Sequence, residues 1–183
     1  GEVTVEHDEQ PGKGRPDKIP QLRPAFAKDG TITAATSSSI SDGAAAVVLS
    51  RDSVAKANGQ QPVAKIVAMA AHAQEPAQFT VAPIGAIEKV LDKAGWSADE
   101  VELWEVNEAF ACVAMFAMRD IGIPHDKINV NGGGTALGHP IGASGTRIIV
   151  TLLNALKQQG KKRGVASLCI GGGEATAVAV ELV

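Results

Sequence analysis

The chain has 183 residues, of which 45% are hydrophobic and 20% are charged, a balance typical of a folded globular protein. The net charge of −3 and an aromatic content of only 3% argue against a nucleic-acid-binding surface. Two cysteines cannot form a disulfide framework, and no apolar run is long enough to cross a membrane. The acidic N-terminal segment does not resemble a signal peptide. We therefore expect a protein of the cytoplasm or an organellar matrix, with no metal site.

The first 24 residues differ in composition from the rest of the chain. Residues 2–7 alternate apolar and polar side chains and predict a short strand. Residues 8–24 contain four of the nine prolines and two glycines, which predicts a long loop. We therefore predict that residues 1–24 are a linker or the tail of a loop region, and that residues 25–183 form the domain.

From residue 25 onward, predicted strands and helices alternate along the chain. Apolar runs predict strands at 44–50, 63–73, 101–106, 127–130, 164–170 and 175–183. Amphipathic patterns with glycine stops predict helices at 51–59, 81–95, 107–122 and 141–160. The short turn GGGE makes the last strand antiparallel. The fold prediction is an α/β domain with a mostly parallel, five-stranded mixed sheet and helices on both faces, with its functional crevice at the carboxyl ends of the strands.

One histidine stands in an unusual setting. His139 lies within NGGGTALGHPIGASG, where glycines on both sides remove side chains that would shield it, and a predicted helix follows directly. The N–H groups at the start of a helix favour a negative charge or an oxyanion. A functional role is therefore predicted for His139, whereas His7, His72 and His125 are interpreted as ordinary surface or structural residues.

Two cysteines have different contexts. Cys169 ends an apolar strand just before GGG, where it is either a small core residue or a thiol acting as nucleophile or as general acid and base. Cys112 lies among apolar residues in the middle of a predicted helix and is interpreted as structural.

Two polar segments allow more than one interpretation. Asn107 follows a predicted strand and begins NEAFA, so it either caps the next helix or orients a water or an oxyanion. The serines of TSSSISDG either form turns or hydrogen-bond a ligand chain.

Taken together, NEAFA, NVNGGGTALGHPIGASG and LCIGGG resemble the thiolase family, and SSSISDGAAAVVL and FTVAPIGAI resemble its segments in the same order. The similarity runs from about Leu22 to the end of the chain. It implies a thiolase-like fold and an acyltransferase of fatty acid metabolism. Such an enzyme performs Claisen condensation, or thiolytic cleavage of acetoacetyl-CoA or another 3-ketoacyl-CoA. Coenzyme A esters are its substrates, and no cofactor is permanently bound.

The resemblance also implies roles for individual residues. His139 would activate a nucleophilic cysteine, and Cys169 would move the proton at the α-carbon. Asn107 would hold a water that forms one oxyanion hole with the histidine, and the N–H of Gly171 would contribute to the other. Contacts to coenzyme A or the acyl chain are assigned to Ser38, Phe79, Ala109 and Phe110.

The family's nucleophilic cysteine has no counterpart here, because it belongs to the first half of a chain about twice as long. The resemblance therefore implies the C-terminal half of an acetyl-CoA acetyltransferase or 3-ketoacyl-CoA thiolase, inactive without an N-terminal half. The whole enzyme would be a homodimer or tetramer without nucleic-acid or membrane partners. The alternative is a non-catalytic subunit that binds coenzyme A esters or scaffolds a complex. A phosphate-binding module is disfavoured, since no P-loop or dinucleotide-binding glycine pattern is present.

Overall fold

The computed structural model describes residues 1–10 and 12–183. Two compact units, residues 1–35 and residues 36–183, divide the chain. In the first unit, the helix α1 at Glu9–Lys13 and a 3₁₀ helix at Pro16–Gln21 are connected by irregular segments. The boundary predicted after residue 24 stays a prediction.

Six α-helices and four strands make up the regular structure of the described residues. The helices are α1 Glu9–Lys13, α2 Asp52–Ala57, α3 Ala82–Ala94, α4 Ala111–Ile121, α5 Gly134–Leu137 and α6 Ser144–Gln158. The strands are β1 Ala64–Ala73, β2 Leu103–Val106, β3 Arg163–Cys169 and β4 Glu174–Leu182. Further 3₁₀ helices lie at Ala34–Thr36, Pro76–Val81, Ala98–Glu100 and His125–Lys127. Within this described part of the chain, no helix is both long and apolar enough to cross a membrane.

The second unit is built on one mixed sheet with the strand order β1-β4-β3-β2. β2 pairs with β3 in parallel, whereas β4 is antiparallel to both of its neighbours. Three strands therefore run in one direction and only the last strand runs against them, as predicted. The hairpin between β3 and β4 closes at Gly173, whose φ of 102° favours glycine.

Helices cover both faces of the sheet, which confirms the predicted layers. α3 and α4 pack on one face around buried residues such as Ile87, Trp104 and Val113. α6 packs on the other face, where Leu103, Ile148 and Leu152 are buried. The alternation along β2 explains the division: Leu103 faces α6, and Trp104 faces α3 and α4.

The prediction of five strands is wrong, because the sheet has four. Residues 127–130 form only a single bridge, Trp104 to Ile128, beside β2. The next residue, Asn129, has a φ of 46°, which ends the extended backbone. Its side chain replaces a further strand pair: Oδ1 accepts from the Val106 N–H and Nδ2 donates to the Val106 carbonyl, both at 2.9 Å.

Two other strand predictions are also wrong. Residues 2–7 and 44–50 have no regular structure, although both contain the apolar residues that favour strands. Val3, Val48 and Leu49 are exposed, with Val48 at 96%. A strand is stable only when its backbone groups are paired and one face is buried, and neither condition is met here.

Candidate active site

Asn107 continues the path of β2 instead of starting a helix. Its N–H donates to the Ser167 carbonyl at 2.9 Å, which extends the pairing with β3 by one residue. α4 begins only at Ala111, and its N-cap is the extended residue Phe110. The interpretation of Asn107 as a helix cap is therefore wrong, and its amide, in a residue only 1% exposed, is free for another role.

His139 is held in a turn between α5 and α6. The preceding Gly138 has a φ of 88°, and a Cβ there would lie 2.2 Å from the Ser41 hydroxyl, so the turn requires glycine. The His139 N–H donates to the Ser39 carbonyl at 2.8 Å. Backbone contacts thus fix the position from which the imidazole extends.

Ser144 determines the tautomer of that imidazole. The Ser144 hydroxyl, fully buried at the start of α6, donates to the Pro140 carbonyl at 3.1 Å. The same oxygen lies 2.6 Å from His139 Nδ1. With the hydroxyl proton donated to Pro140, the serine oxygen accepts from Nδ1–H, and this arrangement also leaves Nε2 to accept from the Asn107 amide. His139 therefore carries its proton on Nδ1, and its Nε2 lone pair is available as a base.

The two polar side chains predicted to work together lie side by side. Asn107 Nδ2 is 3.4 Å from His139 Nε2 and can donate to it. Asn107 Oδ1 has no protein partner in the described part of the chain although it is buried. Burial, and then the nearby positive charge of Arg147, lower the pKa of His139. The site therefore favours a neutral imidazole beside an amide with an unused acceptor.

The serine segment joins the two loops that contain these residues. Ser38 donates both its N–H and its hydroxyl to the Ala109 carbonyl, at 3.1 and 2.9 Å. Two residues later, Ile40 forms a bridge with His139. Ser38 therefore connects two segments that are far apart in sequence, a role that neither interpretation of the serines predicted. The contact of Ser38 with pantetheine stays a prediction.

Glu108 ties the glycine-rich loop to the end of β2. Its carboxylate accepts from Asn129 Nδ2 at 2.9 Å and from both the N–H and the hydroxyl of Thr135. A Cβ on Gly133 would lie 2.2 Å from this carboxylate, so the loop passes directly over it. Glu108 therefore fixes the start of the segment that leads to His139.

Cys169 ends β3, next to the strand that leads to Asn107. Its thiol is 8% exposed and lies in the apolar cluster on the face covered by α3 and α4. Burial is the main cause of a raised pKa, with a smaller contribution from Cys112. In the described residues no hydrogen bond links Cys169 to His139 or Asn107, so their convergence on one substrate stays a prediction. Cys112 is also a free, half-buried thiol.

Three of the remaining predicted residues pack against the apolar cluster that includes Cys169. Phe79, Ala109 and Phe110 pack against the same apolar cluster, and the rings of Phe79 and Phe110 meet edge to face at 6.1 Å. Gly171 follows in the exposed turn, its N–H makes no backbone hydrogen bond, and a Cβ there would meet no atom within 4 Å. The cluster that includes Cys169 thus has two aromatic rings packed against it, and an exposed glycine follows the cysteine by two residues.

The residues that hold the site residues in place were not predicted from the sequence. Ser144 is one of several small residues in GASG, and Glu108 is an ordinary acidic residue in NEAFA, so neither has a distinctive sequence pattern. Glu105 and Arg147, which form a charge pair next to the site, gave no recognisable pattern. The spacing of five residues from His139 to Ser144 across a Pro-Ile-Gly turn was the one signal available. No group of three or more potential metal ligands occurs in the described residues.

Comparison with known proteins identifies relatives of this chain. The model of the thiolase C-terminal domain matches residues 60–182, and that of the thiolase N-terminal domain matches residues 1–53. An acetyl-CoA acetyltransferase of Yarrowia lipolytica is 49% identical over 183 residues, covering 100% of this chain and 46% of the relative. A probable acetyl-CoA acetyltransferase of Dictyostelium discoideum is 48% identical, covering 99% of this chain and 44% of the relative.

Solved structures of an acetyl-CoA acetyltransferase and a thiolase are also similar to this chain. The acetyl-CoA acetyltransferase of Bacillus anthracis aligns with a TM-score of 0.88 and 42% identity, over 91% of this chain and 42% of that one. A thiolase of Ascaris suum, solved in complex with coenzyme A, also aligns with a TM-score of 0.88, at 38% identity over 98% of this chain and 47% of that one. The chain thus spans about half the length of the relatives it matches, and it belongs to the thiolase family.

Proposed function

We propose that this chain supplies the histidine and the acid–base cysteine of a thiolase-type acetyl-CoA C-acyltransferase, which cleaves or forms acetoacetyl-CoA or another 3-ketoacyl-CoA. The observation that carries the proposal is the orientation of His139. Ser144 holds the proton on Nδ1, so Nε2 is a free base next to Asn107. The names of the relatives, acetyl-CoA acetyltransferases, support the same reaction class.

In the proposed cleavage, His139 Nε2 accepts the proton of a nucleophilic thiol from the N-terminal half. The resulting thiolate attacks the 3-keto carbon, and the bond between the α-carbon and that carbon breaks. The electron pair of this bond forms the enolate of acetyl-CoA, which takes a proton from the Cys169 thiol. The acyl group remains on the nucleophile until the sulfur of coenzyme A attacks it and releases the nucleophilic thiolate. The proton of the coenzyme A thiol restores the Cys169 thiol, and the proton held by His139 returns to the released thiolate.

The environments of the two residues suit these steps. A lowered pKa keeps His139 unprotonated at neutral pH, as a general base requires. Burial raises the pKa of Cys169, which keeps its proton in place until an enolate of higher basicity forms. The developing enolate oxygen needs fixed donors, which a water held by Asn107 and the protonated His139 would supply, and the Gly171 N–H would contribute to a second oxyanion hole.

We further propose that an N-terminal thiolase half, in the same or a separate chain, completes the site. The match of residues 1–53 to the N-terminal domain model supports this partner. So does a rim of exposed apolar residues next to the site residues: Ile40, at 87%, Leu137, Ile141 and Ile170. Exposed apolar surface of this extent is typical of an interface. On size-exclusion chromatography we expect the chain alone to self-associate, and a well-behaved monomer with no affinity for an N-terminal half would contradict this partner.

The activity is tested by combining the chain with the N-terminal half of a curated relative. We expect coenzyme A-dependent cleavage of acetoacetyl-CoA, and a loss of about 100-fold or more in kcat for His139→Ala or Cys169→Ala. Matched controls are His125→Ala and Cys112→Ala, which should stay within about twofold because neither residue belongs to the proposed chemistry.

The same experiment separates the enzyme from its alternative. A non-catalytic subunit would bind coenzyme A esters, measured by calorimetry, without turnover in the combined sample. Activity that survives His139→Ala and Cys169→Ala unchanged would overturn the proposed roles.

A further inference from the structure

A charge pair with one buried member, Glu105, lies next to the candidate site. Glu105 in β2 is 1% exposed, and its Oε2 lies 3.5 Å from Nη1 of Arg147 in α6. The same Nη1 lies 3.5 Å from the Thr151 hydroxyl. A charge inside a protein is costly without a partner, so a pair in this position needs a physical reason.

The position of the pair relates it to the site. Glu105 precedes Asn107 by two residues on an extended backbone, so both side chains point toward α6. Arg147 follows Ser144 by three residues, which places the two on neighbouring positions of one helix face. The contacts between β2 and α6 therefore form two layers: the Glu105–Arg147 ion pair, and beside it Asn107 with His139 and Ser144.

We propose that Arg147 is a positioning residue of the His139 site: paired with the buried Glu105 of β2, it fixes β2 against α6 and holds the imidazole as a neutral base. This inference rests on the proposed function for its catalytic meaning. Its structural content, that Arg147 acts on His139, can be measured without any turnover.

In the described part of the chain, the strands packed around Arg147 present apolar residues to it, apart from Glu105. On this face β3 presents Gly164, Ala166 and Leu168, and β4 presents Val178 and Val180. Glu108, just beyond β2, is the other charge that acts on Glu105. The field of Arg147 at His139 therefore depends mainly on the ionisation of Glu105.

Two buried atoms of the pair, Glu105 Oε1 and Arg147 Nη2, have no protein partner in the described residues. Burial raises the pKa of Glu105 to about 7, although Arg147 acts in the opposite direction. Glu105 therefore takes up a proton before His139 does as the pH falls. Once Glu105 is neutral, the charge of Arg147 is unopposed and disfavours protonation of the imidazole.

The test is a histidine titration of the chain by NMR, with His139→Asn to assign the signal. We expect Arg147→Gln to raise the pKa of His139 by about 0.5–1 unit, since it removes the positive charge. Arg147→Lys keeps that charge and should leave the pKa within about 0.2 unit of the parent chain. Glu105→Gln should also leave it within about 0.2 unit, because Glu105 is already protonated where His139 titrates.

Arg147→Gln leaves Glu105 without its partner and can fail to fold for that reason, so a second variant provides the same test. The double variant Glu105→Gln, Arg147→Gln contains no buried charge and should fold, with the same rise in the pKa of His139. Equal pKa values for His139 in the parent, in Arg147→Gln and in the double variant would overturn the inference. So would equal shifts in Arg147→Gln and Arg147→Lys, which would indicate packing alone.

In the combined enzyme, the apparent pKa of the acidic limb of the pH profile of kcat/KM should rise in Arg147→Gln. The rise should equal the increase in the pKa of His139 that is measured by NMR. A combined enzyme without any thiolase activity would contradict the proposed function, whereas the titration of His139 would still decide the role of Arg147. The two failures are therefore distinguishable.

Discussion

The Ser144 hydroxyl accepts a hydrogen bond from Nδ1 of His139 at 2.6 Å while its own proton is used at the Pro140 carbonyl. The direction of both bonds follows from this single proton. A buried serine five residues away in sequence therefore decides which nitrogen of the imidazole is the base.

Replacing Ser144 by alanine should remove the hydrogen-bond acceptor that fixes the tautomer of His139. Without an acceptor at Nδ1, the imidazole can change tautomer and rotate, and we expect kcat of the combined enzyme to fall about 10-fold, with KM changed less than twofold. Nitrogen-15 shifts of His139 should report a mixture of tautomers instead of the Nδ1–H form. Ser50→Ala, at an exposed serine, is the matched control. An unchanged tautomer in Ser144→Ala would contradict the assignment.

The side chain of Asn129 should contribute to stability through the pairing that it provides to Val106. We expect Asn129→Ala to lower the free energy of unfolding by about 2–4 kcal/mol, because it loses these bonds and keeps an unfavourable positive φ. Asn129→Gly removes the side chain but tolerates the backbone, so it should lose about 1 kcal/mol less. Urea unfolding followed by circular dichroism measures both. Equal losses would mean that the backbone conformation has no part in the effect.

Local signals predicted some elements well. Helix α3 contains Pro83 in its first turn and ends at Gly95, which has a φ of 68°, so both of its ends could be read from the sequence. The sequence did not predict where β2 ends and α4 begins. Asn107 and Phe110 have helix-compatible neighbours, yet pairing with Ser167 and Ser37 keeps this segment extended. Contacts between residues far apart in sequence decide such cases, and a local pattern does not contain them.

The residues of the candidate site also differ in how far the sequence predicts them. The glycine-rich setting of His139 and the ends of the strands before Asn107 and Cys169 pointed to these three side chains. Their support could not be predicted, because Glu105 and Arg147 meet only after β2 and α6 have packed. A glutamate within an apolar strand and an arginine within an amphipathic helix are individually unremarkable in sequence.

The turn after Cys169 offers a pair of glycine substitutions with opposite outcomes. A Cβ at Gly173 would lie 2.4 Å from the Gln74 carbonyl oxygen, and its φ is 102°. We therefore expect Gly173→Ala to destabilise the chain by about 2–4 kcal/mol. Gly171 has open space around its Cα, so Gly171→Ala should change stability by less than about 0.5 kcal/mol. Thermal unfolding of the two variants under one condition compares them, and equal melting temperatures would contradict the geometry of the turn.

The buried carboxyl group of Glu105 should make stability depend on pH in an unusual direction. Its pKa is raised by burial from 4.5 to about 7, so between these values the folded chain binds more protons than the unfolded chain. The free energy of unfolding should therefore fall as the pH rises through this window, by about 3 kcal/mol from this residue alone. Glu102 has the opposite effect on stability. Its pKa is lowered by hydrogen bonds from the backbone N–H groups of Arg163 and Lys162, so the stability that it contributes is lost as the pH falls below about 4.5.

Urea unfolding at a series of pH values between about 4.5 and 8 separates these contributions. Glu105→Gln should remove the decline in stability across the window, because glutamine does not titrate but retains a hydrogen-bonding group beside Arg147. Glu102→Gln is the matched control, since it should lower stability at neutral pH and leave the slope between pH 5 and 7 unchanged. If the parent chain and Glu105→Gln decline equally with pH, Glu105 is ionised in the folded chain throughout the window, and Arg147 stabilises its charge more than burial opposes it.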